Sequence, residues 1–173
     1  MAQFETFGAY FGRLLTWDVF LWIGGLMLLA FLLRKPLARS LQVSHRRFLL
    51  IALSFAGVVG LSLRFWETYG TWSTFWLIAP EVWSEGFRFN ANFVLNLVLY
   101  IPPAILLVLA RQASWMVGLI LIGMSFAVET IQQYARIGSG DPFDLFANTL
   151  GALIGVTIGL ATIRLWPALG VKR

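Results

Sequence analysis

Carboxylates, amides and an arginine are concentrated in one short stretch of an otherwise apolar chain. Glu129, Gln132 and Arg136 are followed, after a turn, by Asp144 and Asn148. Acidic side chains act as general acids or bases, whereas amides and arginine bind hydroxyl and anionic groups. Hydrophobic residues make up 59% of the chain and charged residues 12%, so this cluster borders apolar segments. Because ionisable groups are costly within a bilayer, the cluster predicts a functional site.

The spacing of these residues predicts how two helices present them. Gln132 and Arg136 are one helical turn apart, and so are Asp144 and Asn148. Asp141 is followed by proline, which is typical of a helix N-cap and of the first helical position. Asp144 then falls in the first turn, where the helix dipole favours a carboxylate.

The short turn after Arg136 contains two glycines, so the two helices should form an antiparallel hairpin. Glu129 and Asn148 are then expected at comparable depth. Arg136 is in a position to pair with any of the three nearby carboxylates, and pairing lowers the cost of charges near lipid. Below the cluster, a stripe of glycines at four-residue spacing predicts close packing against another helix.

A further apolar segment adds polar groups of its own. Asn92 and Asn96 lie four residues apart and are followed by Pro102 and Pro103. Prolines in a helix remove backbone donors and predict a kink, which would open room for a polar pocket. The alternative is that Asn96 only forms a hydrogen bond between helices.

The chain predicts an all-α, polytopic helical membrane protein that forms one domain over residues 1–173. A span of the hydrocarbon core takes about 20 apolar residues. Five stretches meet this length, near residues 17–33, 48–65, 93–110, 114–134 and 143–164.

Charge asymmetry predicts the orientation of these spans. A basic loop is expected between the first two spans, and further basic residues follow the third and the fifth. The acidic residues all fall towards the opposite side. Because basic residues are retained in the cytoplasm, the N-terminus is expected outside and the C-terminus inside.

Two segments outside the spans are rich in aromatic residues. Residues 1–16 have apolar side chains at helical spacing and favour an amphipathic surface helix, or else an apolar tail. Residues 66–92 carry many Trp, Phe and Tyr side chains, which are typical of an aromatic belt at the outer membrane face. The alternative is the wall of a lipid- or glycan-binding cleft.

Several classes of site are excluded. The chain has no cysteine, and its single histidine, His45, lies in the loop on the opposite side from the cluster. A disulfide framework, a zinc site and a His-dependent hydrolase are therefore disfavoured, and we expect neither metal nor cofactor. The basic residues flank spans, so they do not indicate a nucleic-acid partner.

Residues 92–159 resemble the VanZ-like family of small bacterial membrane proteins. The stronger part of the match comprises Ser125-Phe-Ala-Val-Glu129-Thr-Ile-Gln132 and Asp144-x-x-x-Asn148-x-x-Gly151. The weaker part is Asn96-x-x-x-Tyr100-x-Pro102, followed by Ala104 where the family usually has glycine.

The resemblance implies a helical membrane domain with a core over about residues 92–164, in the bacterial cytoplasmic membrane. The family's founding member is associated with resistance to the glycopeptide teicoplanin, which the resemblance does not by itself extend to this chain. The site residues that it implies are Asn96, Glu129, Gln132, Arg136, Asp144 and Asn148.

Three functions are compatible with the cluster. The first is a cell-envelope protein that recognises a polar or anionic lipid-linked headgroup or a glycopeptide-related ligand, with Arg136 on a phosphate or carboxylate. The second is an intramembrane enzyme in which Glu129 acts as general acid or base beside an ionised Asp144. The third is an accessory subunit of a larger membrane complex, in which the cluster only joins helices.

Overall fold

Five long helices make up most of the molecule. The structure is a computed structural model that describes residues 17–63, 75–78, 83–84, 90–110, 112–138 and 140–166. Its helices are α1 (Trp17–Ser40), α2 (His45–Ser62), α3 (Ala91–Leu109), α4 (Ser114–Tyr134) and α5 (Pro142–Leu165). Each is long and apolar enough to cross a membrane. Since the described part contains no strand, the predicted all-α, polytopic fold is confirmed.

The first helix is longer than the sequence pattern predicts. It continues past residue 33 to Ser40, so Arg34, Lys35 and Arg39 lie on a helix and not in a loop. The predicted extent of the basic loop was therefore wrong, because Leu, Ala, Arg and Lys favour helix beyond the end of an apolar run. The loop itself is only the turn at residues 41–44.

The closest helix pair is α3 with α5, and the predicted glycine stripe forms its contact face. A side chain at Gly151 would overlap the Leu97 carbonyl oxygen, and one at Gly155 would overlap Ala104. Gly159 packs in the same way, further along α3. Small residues allow helix backbones to approach closely in lipid, so this stripe fixes how α3 and α5 align.

The helices meet at one end of the bundle, which we call the polar end. There α2 and α4 finish while α3 and α5 begin. The starts of α3 and α5 are capped by Asn90 and Asp141, whose side chains accept hydrogen bonds from Phe93 N–H at 3.0 Å and Phe143 N–H at 2.7 Å. The predicted N-cap at Asp141 is confirmed, and Asp144 lies in the first turn of α5.

The aromatic loop is described only in part. Residues 1–16, predicted as an amphipathic helix, lie outside the described residues, as does most of 66–92. Within the described part, the Trp83 ring meets Phe143 at a centroid distance of 5.6 Å, and Phe75 meets Phe126 at 6.1 Å. These contacts place parts of the loop against α4 and α5.

The orientation of the bundle stays a prediction and is open to a labelling test. Because the chain has no cysteine, single cysteines report the side on which they lie. We expect an impermeant thiol reagent, applied to intact cells, to label Ala135→Cys in the exposed turn after α4. It should leave Ser44→Cys, between α1 and α2, unlabelled until the cells are permeabilised.

The two variants serve as controls for each other because both positions are solvent-exposed. Labelling of Ser44→Cys alone in intact cells would reverse the predicted orientation.

Candidate functional site

Asp144 joins α5 to α3 through two asparagines. The Asn92 amide donates to both carboxylate oxygens, at 2.8 and 3.1 Å. The Asn96 side chain, one turn deeper, lies close to the same carboxylate. This arrangement depends on the close α3–α5 contact, which sets the first turns of the two helices side by side.

Glu129 joins α4 to the start of α5. Its side chain is only 2% exposed, and Oε2 accepts a hydrogen bond from the Asp141 backbone N–H at 3.0 Å. An N–H at a helix start has no partner inside the helix, so the carboxylate satisfies a group that burial would otherwise strand. Among the described residues, the other oxygen, Oε1, has no hydrogen-bond donor. Asp144 lies near enough to interact electrostatically with this carboxylate.

Gln132 joins α4 to the end of α2. Its amide Nε2 donates to the Ser62 carbonyl at 2.8 Å. The last carbonyls of a helix have no intrahelical partner, so this bond closes the C-terminus of α2. Gln132 therefore has a structural task, and its amide donor is engaged.

Asn148 lies one turn deeper than the carboxylates and does not meet Glu129. Its amide donates to Ser125 Oγ at 2.9 Å, and its own Oδ1 has no partner among the described residues. The prediction that Asn148 lies at the same depth as Glu129 was wrong by about one helical turn, because Glu129 lies beside Asp141 at the start of α5. Tyr100 is also fully buried, and its hydroxyl lies close to Ser125.

The way in which α4 ends determines the backbone conformation of Arg136, and no charged partner does so. It follows the C-cap in a left-handed conformation with φ 60°, and the N–H groups of Arg136 and Ile137 donate to the carbonyls of Gln133 and Gln132. This pattern is a Schellman motif, in which glycine is usual at the left-handed position. Within the described residues the exposed Arg136 forms no ion pair with any of the three carboxylates, contrary to expectation.

A cavity of about 340 Å³ lies between α2, α3, α4 and α5 at the polar end. Four of the six predicted site residues line it, and Arg136 and Asn148 do not. Asn92 is a lining residue that sequence reasoning left out of the site, although its spacing from Asn96 was the available signal. The polar lining residues are Ser54, Ser62, Asn92, Asn96, Glu129, Gln132 and Asp144.

The rest of the cavity wall is apolar and includes exposed residues. Leu95 and Leu99 extend the lining along α3 away from the polar end. Val98, 50% exposed, and Pro102, also exposed, form part of the same lining. The cavity therefore opens sideways through the wall of the bundle, at a level that the apolar helices place within the bilayer.

The carboxylates permit acid–base chemistry only in a general sense. Glu129 and Asp144 line one cavity, but no group of three metal-ligating side chains occurs among the described residues. Most polar groups of the lining also hold a neighbouring helix. The geometry supports a binding site most directly.

The fold and this cavity define a multi-pass helical membrane protein with a polar site near one end of its spans. The sequence model of the VanZ/LLP1 family matches residues 19–164, so the chain belongs to this family. The match begins well before residue 92 and thus includes the first two spans. Neither curated proteins nor solved structures gave a significant match.

The bond from Asp141 N–H to Glu129 predicts a difference between two substitutions. Glu129→Gln keeps a side-chain carbonyl that can accept this bond, so the free energy of unfolding should change little. Glu129→Ala leaves the Asp141 N–H without its acceptor and should lower stability by about 1–3 kcal/mol. Unfolding of the purified variants in one detergent would measure both, and equal losses would contradict a hydrogen-bonding role.

The left-handed backbone at Arg136 predicts a second contrast. Arg136→Gly removes the guanidinium but suits φ 60°, so stability should be retained or raised. Arg136→Val is expected to lose about 1–3 kcal/mol, because a β-branched residue is strained there. The same unfolding measurement applies. Equal destabilisation by both changes would show that the charge itself supports the fold.

Proposed function

We propose that this protein is a cell-envelope component of the bacterial cytoplasmic membrane that binds the polar headgroup of a membrane amphiphile. The headgroup occupies the polar end of the cavity, on the outer side in the predicted orientation. The hydrocarbon chain leaves through the sideways opening into the bilayer. Lipid-linked glycans and related amphiphiles fall within this class of ligand.

The observation that carries the proposal is the polarity gradient inside one cavity. Carboxylates and amides line the polar end, whereas Leu95, Leu99 and the exposed Val98 line the remainder. Binding sites for small molecules are commonly apolar clefts with a few convergent polar groups that fix orientation. An amphiphile satisfies both parts of such a wall at once.

Arg136 has no place in this proposal. It is exposed in the turn after α4 and does not line the cavity. The hypothesis that it binds a phosphate or carboxylate of the ligand stays a prediction without support from its position.

A structural role within a larger complex is the second candidate function. It is favoured by the bonds of Glu129 and Gln132, each of which holds a backbone group of another helix. Under this alternative, the cavity would be a packing gap that the function does not need.

A substitution that fills the cavity distinguishes headgroup binding from a purely structural role. Gly57 lines the cavity on α2, and a Cβ atom built there would meet nothing within 4 Å. Gly57→Leu should therefore occupy the cavity without disturbing helix packing. We expect native mass spectrometry to show a co-purifying lipid on the gently extracted wild-type protein and its loss from Gly57→Leu.

Gly123→Leu is the matched control. Gly123 lies on α4, outside the cavity lining, and a Cβ atom built there also meets nothing within 4 Å. This variant should retain the lipid and should match Gly57→Leu in abundance. Equal lipid occupancy in both variants would exclude the cavity as the binding site.

A further inference from the structure

The polar end of the cavity is rich in acceptors, and two of its amide groups already donate to protein atoms. The Gln132 amide donates to the Ser62 carbonyl, and the Asn92 amide donates to Asp144. Among the described lining residues there is no lysine, arginine or histidine. We propose that the headgroup bound in this cavity carries a protonated amine, which lies between the carboxylates of Glu129 and Asp144.

The Glu129 side chain provides the most specific evidence. Only 2% of its surface is exposed, and it lines the cavity. Its Oε2 is held by the Asp141 N–H, whereas Oε1 accepts no hydrogen bond from a described residue. A carboxylate oxygen at this depth needs a donor, and a ligand in the cavity can supply one.

The prolines of α3 add to the excess of acceptors. Because Pro102 and Pro103 lack N–H groups, the carbonyls of Val98 and Leu99 have no helical donor four residues on. Val98 and Leu99 line the cavity beside Pro102. An ammonium group has three donors and no acceptor, which complements the acceptor-rich polar end of the cavity.

Charge favours the same class of headgroup. When both are ionised, Glu129 and Asp144 disfavour each other's charge in a region of low dielectric, and an ammonium group between them would offset this repulsion. A phosphate or carboxylate would instead meet like charge. The inference depends on the proposed function, because it assumes that the cavity binds a headgroup at all.

A fluorescent reporter at the opening tests the charge preference. The chain has no cysteine, so Val98→Cys, at an exposed lining position, can be labelled with an environment-sensitive dye. The labelled protein is placed in phosphatidylcholine nanodiscs and titrated with dodecylamine, dodecanol and dodecyl phosphate at constant lipid. We expect a saturable signal for dodecylamine at a concentration at least about tenfold below that for dodecanol, and none for dodecyl phosphate.

Two substitutions show whether the carboxylates cause this preference. Glu129→Gln and Asp144→Asn, each in the Val98→Cys background, should weaken binding of dodecylamine more than binding of dodecanol, so that the two concentrations approach each other. Gly57→Leu should abolish every saturable signal, since it fills the cavity. Any signal that persists in Gly57→Leu reports the bilayer and is subtracted.

The outcomes separate the two proposals. Equal binding of amine and alcohol, or preferential binding of the phosphate, would overturn the amine inference while binding in the cavity stands. An amine preference that survives both carboxylate substitutions would also overturn it. The absence of any signal sensitive to Gly57→Leu, for all three amphiphiles, would contradict the proposed function itself.

Discussion

The requirement that buried backbone groups find partners without water governs the polar end of this protein. Four helices begin or finish there, and each end leaves N–H or C=O groups that its own helix does not satisfy. Glu129 accepts from the start of α5, and Gln132 donates to the end of α2. The same polar side chains that predicted a functional site therefore also complete the fold. Their residue types alone do not separate the two roles.

The glycine face of α5 determines where the cavity can form. Because Gly151 and Gly155 bring α5 against the backbone of α3, the first turns of these helices lie side by side. Asn92 thereby reaches Asp144. Helix packing deep in the bundle thus positions the polar groups at its end. Ala104, at a position where the family usually has glycine, is fully buried at this interface and faces Gly155.

Local sequence signals predicted the elements well and the partners of the polar residues less well. Apolar runs predicted the five spans, and the proline after Asp141 predicted the N-cap of α5. The glycine spacing predicted the packed face of α5. The depth of Asn148 relative to Glu129 was predicted wrongly, because depth in a hairpin depends on how the turn is built. The ion pair of Arg136 was expected from charge alone. The end of α4 instead required a left-handed residue at that position, which directs the chain towards α5.

Under the proposed function, Glu129 would combine a structural and a binding role through its two oxygens. Oε2 accepts from the Asp141 N–H, which restrains the rotamer of a side chain that also lines the cavity. Pre-orientation of this kind lowers the entropic cost of binding, because the side chain is already ordered before the ligand arrives. A ligand that donates to Oε1 would in turn stabilise the junction of α4 and α5, since binding to the folded state alone favours that state. Under the proposed function, occupancy of the cavity and integrity of the polar end would therefore be coupled through one carboxylate.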